Sequence, residues 1–173
     1  PNDTAPTPAL DDLYAEGNGK KLDKERAELY HTTVAKALWA SKRARPDIGQ
    51  GIASLCTRVR GPNENDWDKM VRLLKFLNGT KKDKLILSAD NLHVIKWYVD
   101  AAFAVHPDFK SHTGAAMTFG RGAVQSVSRK QKLNTRSSTE AELVASDDLS
   151  VMILWTKLFM EAQGYKIEKN ILY

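Results

Sequence analysis

The sequence predicts a protein of the α+β or α/β class, with a small helical unit followed by a mixed β-sheet and one long packed helix. Apolar residues recur at helical spacing in the first half of the chain, and the pattern then changes to short β-rich runs. A long helix-forming segment begins near Ser138. We expect three regions, namely a flexible arm or linker at 1–20, a helical region at 21–82 and a sheet region at 83–173.

Three helices are predicted in the helical region. The first runs from Leu22 to about Lys42, and Pro46 lies in the first turn of the second, where proline is well tolerated. Asn65 is the expected N-cap of the third helix, and Gly79 ends it. The apolar faces of the second and third helices are expected to consist of Ile48, Ile52, Leu55 and Val59, and of Trp67, Met70, Val71, Leu74 and Leu77.

Short runs rich in β-branched and aromatic residues predict the strands. We expect a hairpin between Leu85–Leu87 and Val94–Val99, with its turn at Asp90. A second strand pair is expected from Thr113–Phe119 and Ala123–Val127, which flank a glycine-rich turn. These runs supply the greater part of the predicted sheet.

The long helix is predicted from Ser138 to Gln163, and Ile167 begins another strand after it. Apolar residues surround most of this helix, as is typical of a helix packed between a sheet and another layer. We therefore expect a buried position for Trp155, Leu158 and Phe159.

Composition and charge narrow the functional classes. Lys and Arg total 26 against 21 Asp and Glu, which gives a net charge of +5 and favours a polyanionic partner such as nucleic acid. The single Cys56 excludes an internal disulfide and a cysteine-based zinc site. The sequence contains neither a membrane-spanning apolar run nor a signal-peptide pattern. We expect an intracellular protein, in the cytoplasm or the nucleus, without a membrane partner.

Two acidic residues are candidates for a metal site. Asp100 ends an apolar strand, and no turn residue follows until Pro107, so a buried carboxylate there would need a cation. Ser137 and Glu140 have the spacing of a capping box, which leaves Glu142 without that structural role. Asp100 and Glu142 could share a Mg²⁺ ion. The alternatives are a turn aspartate and a surface acid favoured by the helix dipole.

A basic and hydroxyl-rich segment lies between the two acids in the sequence. Such a segment is usually a solvated loop, but beside a metal site it could hold phosphates. The four histidines show no metal-ligand spacing, and His112, although it lies at a strand start where it could touch a substrate, receives no role. The candidate nucleic-acid-binding residues are Arg129, Lys130, Lys132, Arg136, Ser137 and Ser138.

Several segments follow one another in the order of a known family. They are Arg45–Ile48, Trp67–Thr80, Tyr98–Ala101, Gly122–Lys132 and Ser137–Leu143. In this order they resemble the end of the polymerase region and the ribonuclease H domain of copia-type retrotransposon polyproteins. The last segment, SSTEAEL, is the most specific, and the resemblance extends from about residue 22 to the C-terminus.

The resemblance implies a function and a site. Asp100 resembles the first catalytic carboxylate of the family, and Glu142 the second. The reaction implied is hydrolysis of RNA in an RNA–DNA hybrid with two Mg²⁺ or Mn²⁺ ions. The implied partners are this hybrid or another nucleic acid, and the remainder of the polyprotein.

The chain also departs from the family pattern. Ala102 and Phe103 stand where the family usually has Asp and Trp, and the third carboxylate is expected just beyond Tyr173. We therefore expect a C-terminally incomplete ribonuclease H domain that binds metal weakly, with little or no nuclease activity in this chain alone. The alternative is a non-catalytic relic module that binds nucleic acid or protein.

Overall fold

A computed structural model describes residues 3–173, which form two compact units. The first unit ends at Lys84 and the second begins at Leu85. The first unit is helical and the second combines a sheet with one long helix. The helices of the first unit are α1 (Lys24–Arg43), a 3-10 turn (Pro46–Ile48), α2 (Gly49–Thr57) and α3 (Glu64–Gly79).

The core of the helical unit forms where the apolar stripes of its helices meet. Ile48, Ile52 and Leu55 are buried, as the spacing of the second stripe predicts. Tyr30 of α1 is also buried, and its hydroxyl donates a hydrogen bond to the carbonyl of Leu55 at 3.0 Å. In α3 the prediction is confirmed for Met70, which is buried, and for Trp67 and Leu77, which pack against this core; it is wrong for Val71 and Leu74, because Leu73 is the other buried apolar residue.

The start of α3 also differs from the prediction. The N-cap is Asn63, whose side chain accepts from the amide of Asp66 at 3.0 Å, while the Asp66 carboxylate accepts from the Asn63 amide at 2.9 Å. This capping box satisfies two amides that a helix start leaves unpaired. The predicted N-cap, Asn65, therefore lies inside the first turn, and α3 turns its Asp66, Met70 and Leu73 side inward.

The segment before α1, predicted to be an arm or linker, lies against the helices of the same unit. Leu13 is buried, and the ammonium group of Lys69 on α3 donates to the carbonyls of Asp12, Leu13 and Ala15 at 2.8, 3.2 and 2.8 Å. One lysine thus satisfies three carbonyl groups of a segment that lacks regular secondary structure.

The second unit contains a four-stranded sheet, a two-stranded ribbon and one helix. The sheet has the order β5-β3-β2-β6, in which β2 and β6 are parallel and the other pairs are antiparallel, whereas β1 and β4 form the ribbon. The elements are β1 (Ser88–Ala89), β2 (Val94–Ala102), β3 (His112–Thr118), β4 (Gly120–Arg121), β5 (Gln125–Lys130), α4 (Ser138–Ala162) and β6 (Lys169–Leu172).

The strand predictions are partly confirmed. The antiparallel pair of β3 and β5 matches the second predicted pair, and β6 lies within the predicted final strand. The hairpin of Leu85–Leu87 with Val94–Val99 is wrong, because both sides of β2 are occupied by β3 and β6. The short β1 instead pairs with β4, and the amide of Asp90 donates to the carbonyl of Phe119 at 3.1 Å.

The core of the second unit lies between the sheet and α4. Ile95, Trp97 and Met117 are fully buried there, and α4 presents the buried stripe Ala141, Ala145 and Leu149. The predicted burial of Trp155, Leu158 and Phe159 on α4 is wrong. These side chains are 54%, 55% and 47% exposed, because they do not face the sheet.

The other side of the sheet, here called the outer face, carries the alternate residues of each strand. Since Ile95 and Trp97 point toward α4, Lys96, Tyr98 and Asp100 point outward. Tyr98 is 49% exposed and stacks on Tyr173, with ring centroids 5.0 Å apart. The outer face is therefore accessible along the second half of β2.

Candidate metal and nucleic-acid site

Glu142 reaches the end of β2 from the start of α4. Its Oε1 accepts a hydrogen bond from the backbone amide of Ala101 at 3.1 Å. Ser137 fixes the start of the helix, because its hydroxyl oxygen accepts from the amide of Glu140 at 3.1 Å. A hydrogen bond from a backbone amide to a carboxylate thus connects the start of α4 to the end of β2. Hydrogen bonds to charged groups are stronger than those between neutral groups.

Asp100 directly precedes that amide, so the structure brings the two predicted carboxylate residues to one strand end. Asp100 is exposed, and within residues 3–173 no hydrogen bond or ion pair engages its carboxylate. The expectation that burial makes a cation necessary at Asp100 is therefore wrong. Among the described residues, no group of three or more His, Cys, Asp or Glu side chains could hold a metal ion. Asp100 and Glu142 thus lie at one strand end, where Glu142 is engaged by the amide of Ala101 and Asp100 lies on the outer face.

Glu140 has the capping role that the sequence predicts, with a shifted partner. Its Oε2 accepts from the amide of Arg136 at 2.7 Å, one residue before the Ser137 N-cap. The carboxylate is therefore used at the helix start. Glu142, not Glu140, is the acid on α4 that meets β2.

The predicted nucleic-acid-binding residues divide into engaged and exposed groups. Arg129 turns toward α4, where it donates to the carbonyl of Asp148 at 2.5 Å and lies 3.5 Å from the carboxylate of that residue. Lys130 pairs with Asp108 at 2.7 Å. The remaining four residues are exposed at or just before the start of α4, namely Lys132, Arg136, Ser137 and Ser138.

A chain of hydrogen bonds that the sequence did not predict lies beside this site. Nε2 of His106 is 3.0 Å from Nδ1 of His112, and Nε2 of His112 is 2.8 Å from the hydroxyl of Ser128. Burial, and to a smaller extent the neighbouring His106, lower the pKa of His112 to about 4. Burial and then the charge of Lys130 lower the pKa of His106 as well. Both imidazoles are therefore neutral near pH 7.

The loop between β2 and β3 brings the two histidines together. Two of its non-glycine residues, Ala104 and Phe109, have positive φ values of 52° and 59°, a conformation that is uncommon outside glycine. The amide of Phe109 donates to the carbonyl of His106 at 2.8 Å. The six-residue spacing of the histidines carries no known ligand signal, so sequence reasoning had no means of finding this contact.

Comparison with known proteins identifies several relatives. The chain is 30% identical over 145 residues to the retrovirus-related Pol polyprotein from transposon TNT 1-94 of Nicotiana tabacum, covering 83% of this chain and 11% of that protein. It is 30% identical over 124 residues to the Pol polyprotein from transposon RE2 of Arabidopsis thaliana, covering 71% and 8%. The Pol polyprotein from transposon RE1 of the same plant is 29% identical over 126 residues, covering 72% and 9%.

These matches confirm the predicted resemblance to a retrotransposon Pol polyprotein. The chain spans about a tenth of the length of the curated relatives that it matches. No family model matches the sequence, and no solved structure matches it. In the part of the chain that the structure describes, no helix has the length and apolar character that crossing a membrane requires.

Proposed function

Because the chain belongs to the retrovirus-related Pol polyproteins of transposons, we propose that its sheet unit is the ribonuclease H region of such a polyprotein. Its reaction would be metal-dependent hydrolysis of RNA in an RNA–DNA hybrid. The observation that carries this proposal is the contact of Glu142 with the amide of Ala101, since it joins the acid of α4 to the strand end that bears Asp100. The names of the relatives mention no such activity, so the proposal rests on this geometry and on the motif order.

The donor chemistry at this strand end suits Mg²⁺ or Mn²⁺. Carboxylate oxygens are the ligands that Mg²⁺ prefers, and this ion commonly binds through one or two carboxylates while keeping several waters. Asp100 and Glu142 would hold it, and the exposed Asp100 carboxylate has no competing cation among residues 3–173. When bound, the metal would activate water and stabilise the charge on the reacting phosphate. Two carboxylates alone predict weak binding.

The start of α4 would hold the nucleic-acid backbone. A helix N-terminus presents unpaired amides and a partial positive charge, both of which favour phosphate. Lys132 and Arg136 add exposed positive charge there, and Ser137 and Ser138 add hydroxyl groups. Arg129 is committed to Asp148, so its contribution would be to hold β5 against α4.

The proposed setting is the interior of the cell, with the remainder of the polyprotein as a physical partner. The matched stretch makes up about a tenth of each relative. Residues outside this segment would then supply further metal ligands. We expect the activity to be higher in a longer segment of the polyprotein than in this chain.

The proposal is tested first by metal binding. Mn²⁺ broadens NMR signals of nearby nuclei, so titration into the labelled chain should broaden the amide signals of Asp100 and Ala101 first. Asp100→Asn should remove this effect. Asp147→Asn changes an exposed acid elsewhere on α4 and is the matched control, which should leave it intact.

Cleavage of a labelled RNA–DNA hybrid is the second test. It compares this chain and a longer polyprotein segment, each with and without Asp100→Asn. Mg²⁺-dependent cleavage that Asp100→Asn abolishes would support the proposal. Cleavage that survives this substitution would contradict the site. Binding of the hybrid without cleavage in either segment would favour a non-catalytic binding module.

A further inference from the structure

Ser128 lies on the outer face of the sheet in one row with Asp100. Asp100 of β2 is the register partner of Gly114 of β3, and Gly114 is the partner of Ser128 on β5. Direct partners in antiparallel strands project from the same face, and neighbouring strands are about 4.8 Å apart. Ser128 and Asp100 are therefore separated by about 10 Å across two strand spacings.

Gly114, which lies between them, has no side chain, so there is an open space in the middle of this row. A Cβ atom built on Gly114 would meet a single atom within 4 Å, the carbonyl oxygen of Asp100 at 3.8 Å. No side chain of the described residues fills that space. An extended ligand could therefore lie across β3 and touch the side chains of Asp100 and Ser128.

Two buried imidazoles lie beside the hydroxyl of Ser128. His112 is the register partner of Lys130 and so projects from the same face as Ser128. His112 is 5% exposed and its Nε2 lies 2.8 Å from the hydroxyl, while His106 is 9% exposed and its Nε2 lies 3.0 Å from Nδ1 of His112. Burying two imidazoles is costly unless both are hydrogen-bonded. Ser128 itself is only half-buried, so the chain of bonds runs from two buried rings to an accessible hydroxyl.

The direction of the protons depends on what Ser128 contacts. A neutral imidazole has one donor and one acceptor nitrogen, so the chain of hydrogen bonds can run either way. Lys130 is two residues further along β5, on the same face, and its ammonium is paired with Asp108 at 2.7 Å. For Ser128 to donate to an anion, His106 must donate to His112 and His112 to Ser128. The free proton of the chain then lies on the accessible hydroxyl of Ser128.

We propose that Ser128 contacts a backbone phosphate of the nucleic acid bound at Asp100, and that His112 and His106 are positioning residues for its hydroxyl. This inference rests on the proposed function. With one phosphate per 3.4 Å of axis on each strand, a backbone that crosses the row meets Ser128 about three nucleotides from Asp100. The contact would fix the register of the strand rather than read its sequence.

The test measures binding of the full chain to a fluorescent RNA–DNA hybrid and to a DNA duplex of the same sequence, at low salt and without divalent metal. Ser128→Ala should weaken binding to both duplexes about tenfold, because one hydrogen bond to a charged phosphate is lost. Ser128→Thr keeps the hydroxyl and should restore most of the affinity. Ser150→Ala, the same change on the exposed part of α4, is the control and should have no effect.

The positioning role of His112 is tested by a double substitution. His112→Gln retains a donor toward Ser128 and should bind nearly as well as the unmodified chain, whereas His112→Phe should lose several-fold. In the background of Ser128→Ala, His112→Phe should cause no further loss, because both changes remove the same contact. Losses that multiply would show a general structural effect and overturn the positioning role. A shift of the His112 ring nitrogen signals when the hybrid is added should disappear in Ser128→Ala, and this measurement depends on no His112 variant.

The outcomes separate the two proposals. If the unmodified chain binds neither duplex, the proposed function and this inference fall together. If the chain binds and Ser128→Ala binds equally well, this inference is wrong and the proposed function stands. If Ser128→Ala weakens binding to the hybrid alone, the partner is the ribose 2′-hydroxyl, and the assignment to phosphate is overturned.

Discussion

The hydrogen bond from the amide of Ala101 to Glu142 predicts that two substitutions of one residue have different effects. Glu142→Ala removes the acceptor, whereas Glu142→Gln keeps a carbonyl oxygen at the same position and removes the charge. Ala101 and Glu142 are both half-buried, so water reaches part of this contact. Leaving a buried amide unpaired costs about 1–3 kcal/mol. We expect about 1–2 kcal/mol for Glu142→Ala and about half of that for Glu142→Gln, because a hydrogen bond to a neutral carbonyl oxygen is about half as strong as one to a carboxylate.

Hydrogen exchange of the Ala101 amide measures this bond directly. A loss of about 1.4 kcal/mol corresponds to about tenfold faster exchange, because RT ln 10 has that value at room temperature. We therefore expect exchange about tenfold faster in Glu142→Ala and only about threefold faster in Glu142→Gln. The amide of Val99, which donates to the carbonyl of Tyr173 at 3.1 Å, is the internal control and should change little.

Two results would refute this reasoning. Equal acceleration in both variants would mean that the charge of Glu142, and not its hydrogen bond, holds the strand end. No acceleration in either would mean that α4 is not anchored to β2 through this residue. If Glu142→Gln keeps most of the protection from exchange but loses the Mn²⁺ effect, the structural and metal-binding roles of the carboxylate are separated.

Four further effects follow from individual contacts. Tyr30→Phe should lower the free energy of unfolding by about 1 kcal/mol in urea titration, because the carbonyl of Leu55 loses the hydroxyl and keeps only the amide of Arg58. Asn63→Ala should cost about 1 kcal/mol in the same assay through loss of the N-cap of α3. Lys69→Met should speed proteolysis between residues 12 and 15, since three carbonyls lose the ammonium group that holds them together against α3. Because the pKa of His112 is lowered from 6.5 to about 4, stability should fall as pH drops through this range, where the unfolded chain gains a proton that the folded chain does not; urea midpoints should fall less in His112→Asn.

The helices were largely predictable because their signals are local. The spacing of Ile48, Ile52 and Leu55 alone identifies the buried side of α2, and the structure buries all three. The inner side of α3 was harder, because two stripes overlap in its sequence. Which one faces inward is settled by the tertiary contacts around the start of the helix, where Arg58 also lies 3.3 Å from the buried carboxylate of Asp66.

Strand pairing was less predictable because it is not local. The sequence identified β2, β3, β5 and β6 as extended, but the partner of each strand depends on residues far along the chain. A hairpin is the simplest pairing for Leu85–Leu87 and Val94–Val99, yet β2 gains more by pairing on one side with β3 and on the other with β6. The segment that follows Leu87 forms a short strand only at Ser88–Ala89, and this strand pairs with β4.

The candidate site was also predictable only in part. Asp100 and Glu142 were found through a resemblance in motif order, and the structure brings them to one strand end. The contact itself uses the backbone amide of Ala101, and no side-chain pattern announces it. His112 received no role because five residues separate it from His106, and the rings come together only after the loop has turned back.

The exposed apolar side of α4 shows that an apolar sequence pattern does not identify the partner that buries it. Burial on one side of α4 is satisfied by the sheet, yet Val151, Leu154 and Trp155 on the other side remain 76%, 57% and 54% exposed. Contiguous exposed apolar patches of several hundred Å² usually mark contact surfaces. An apolar pattern predicts that a helix has two apolar sides, but it does not say which polypeptide covers each. This chain spans about a tenth of its relatives, so an apolar side of α4 does not have to be covered by the unit that contains it.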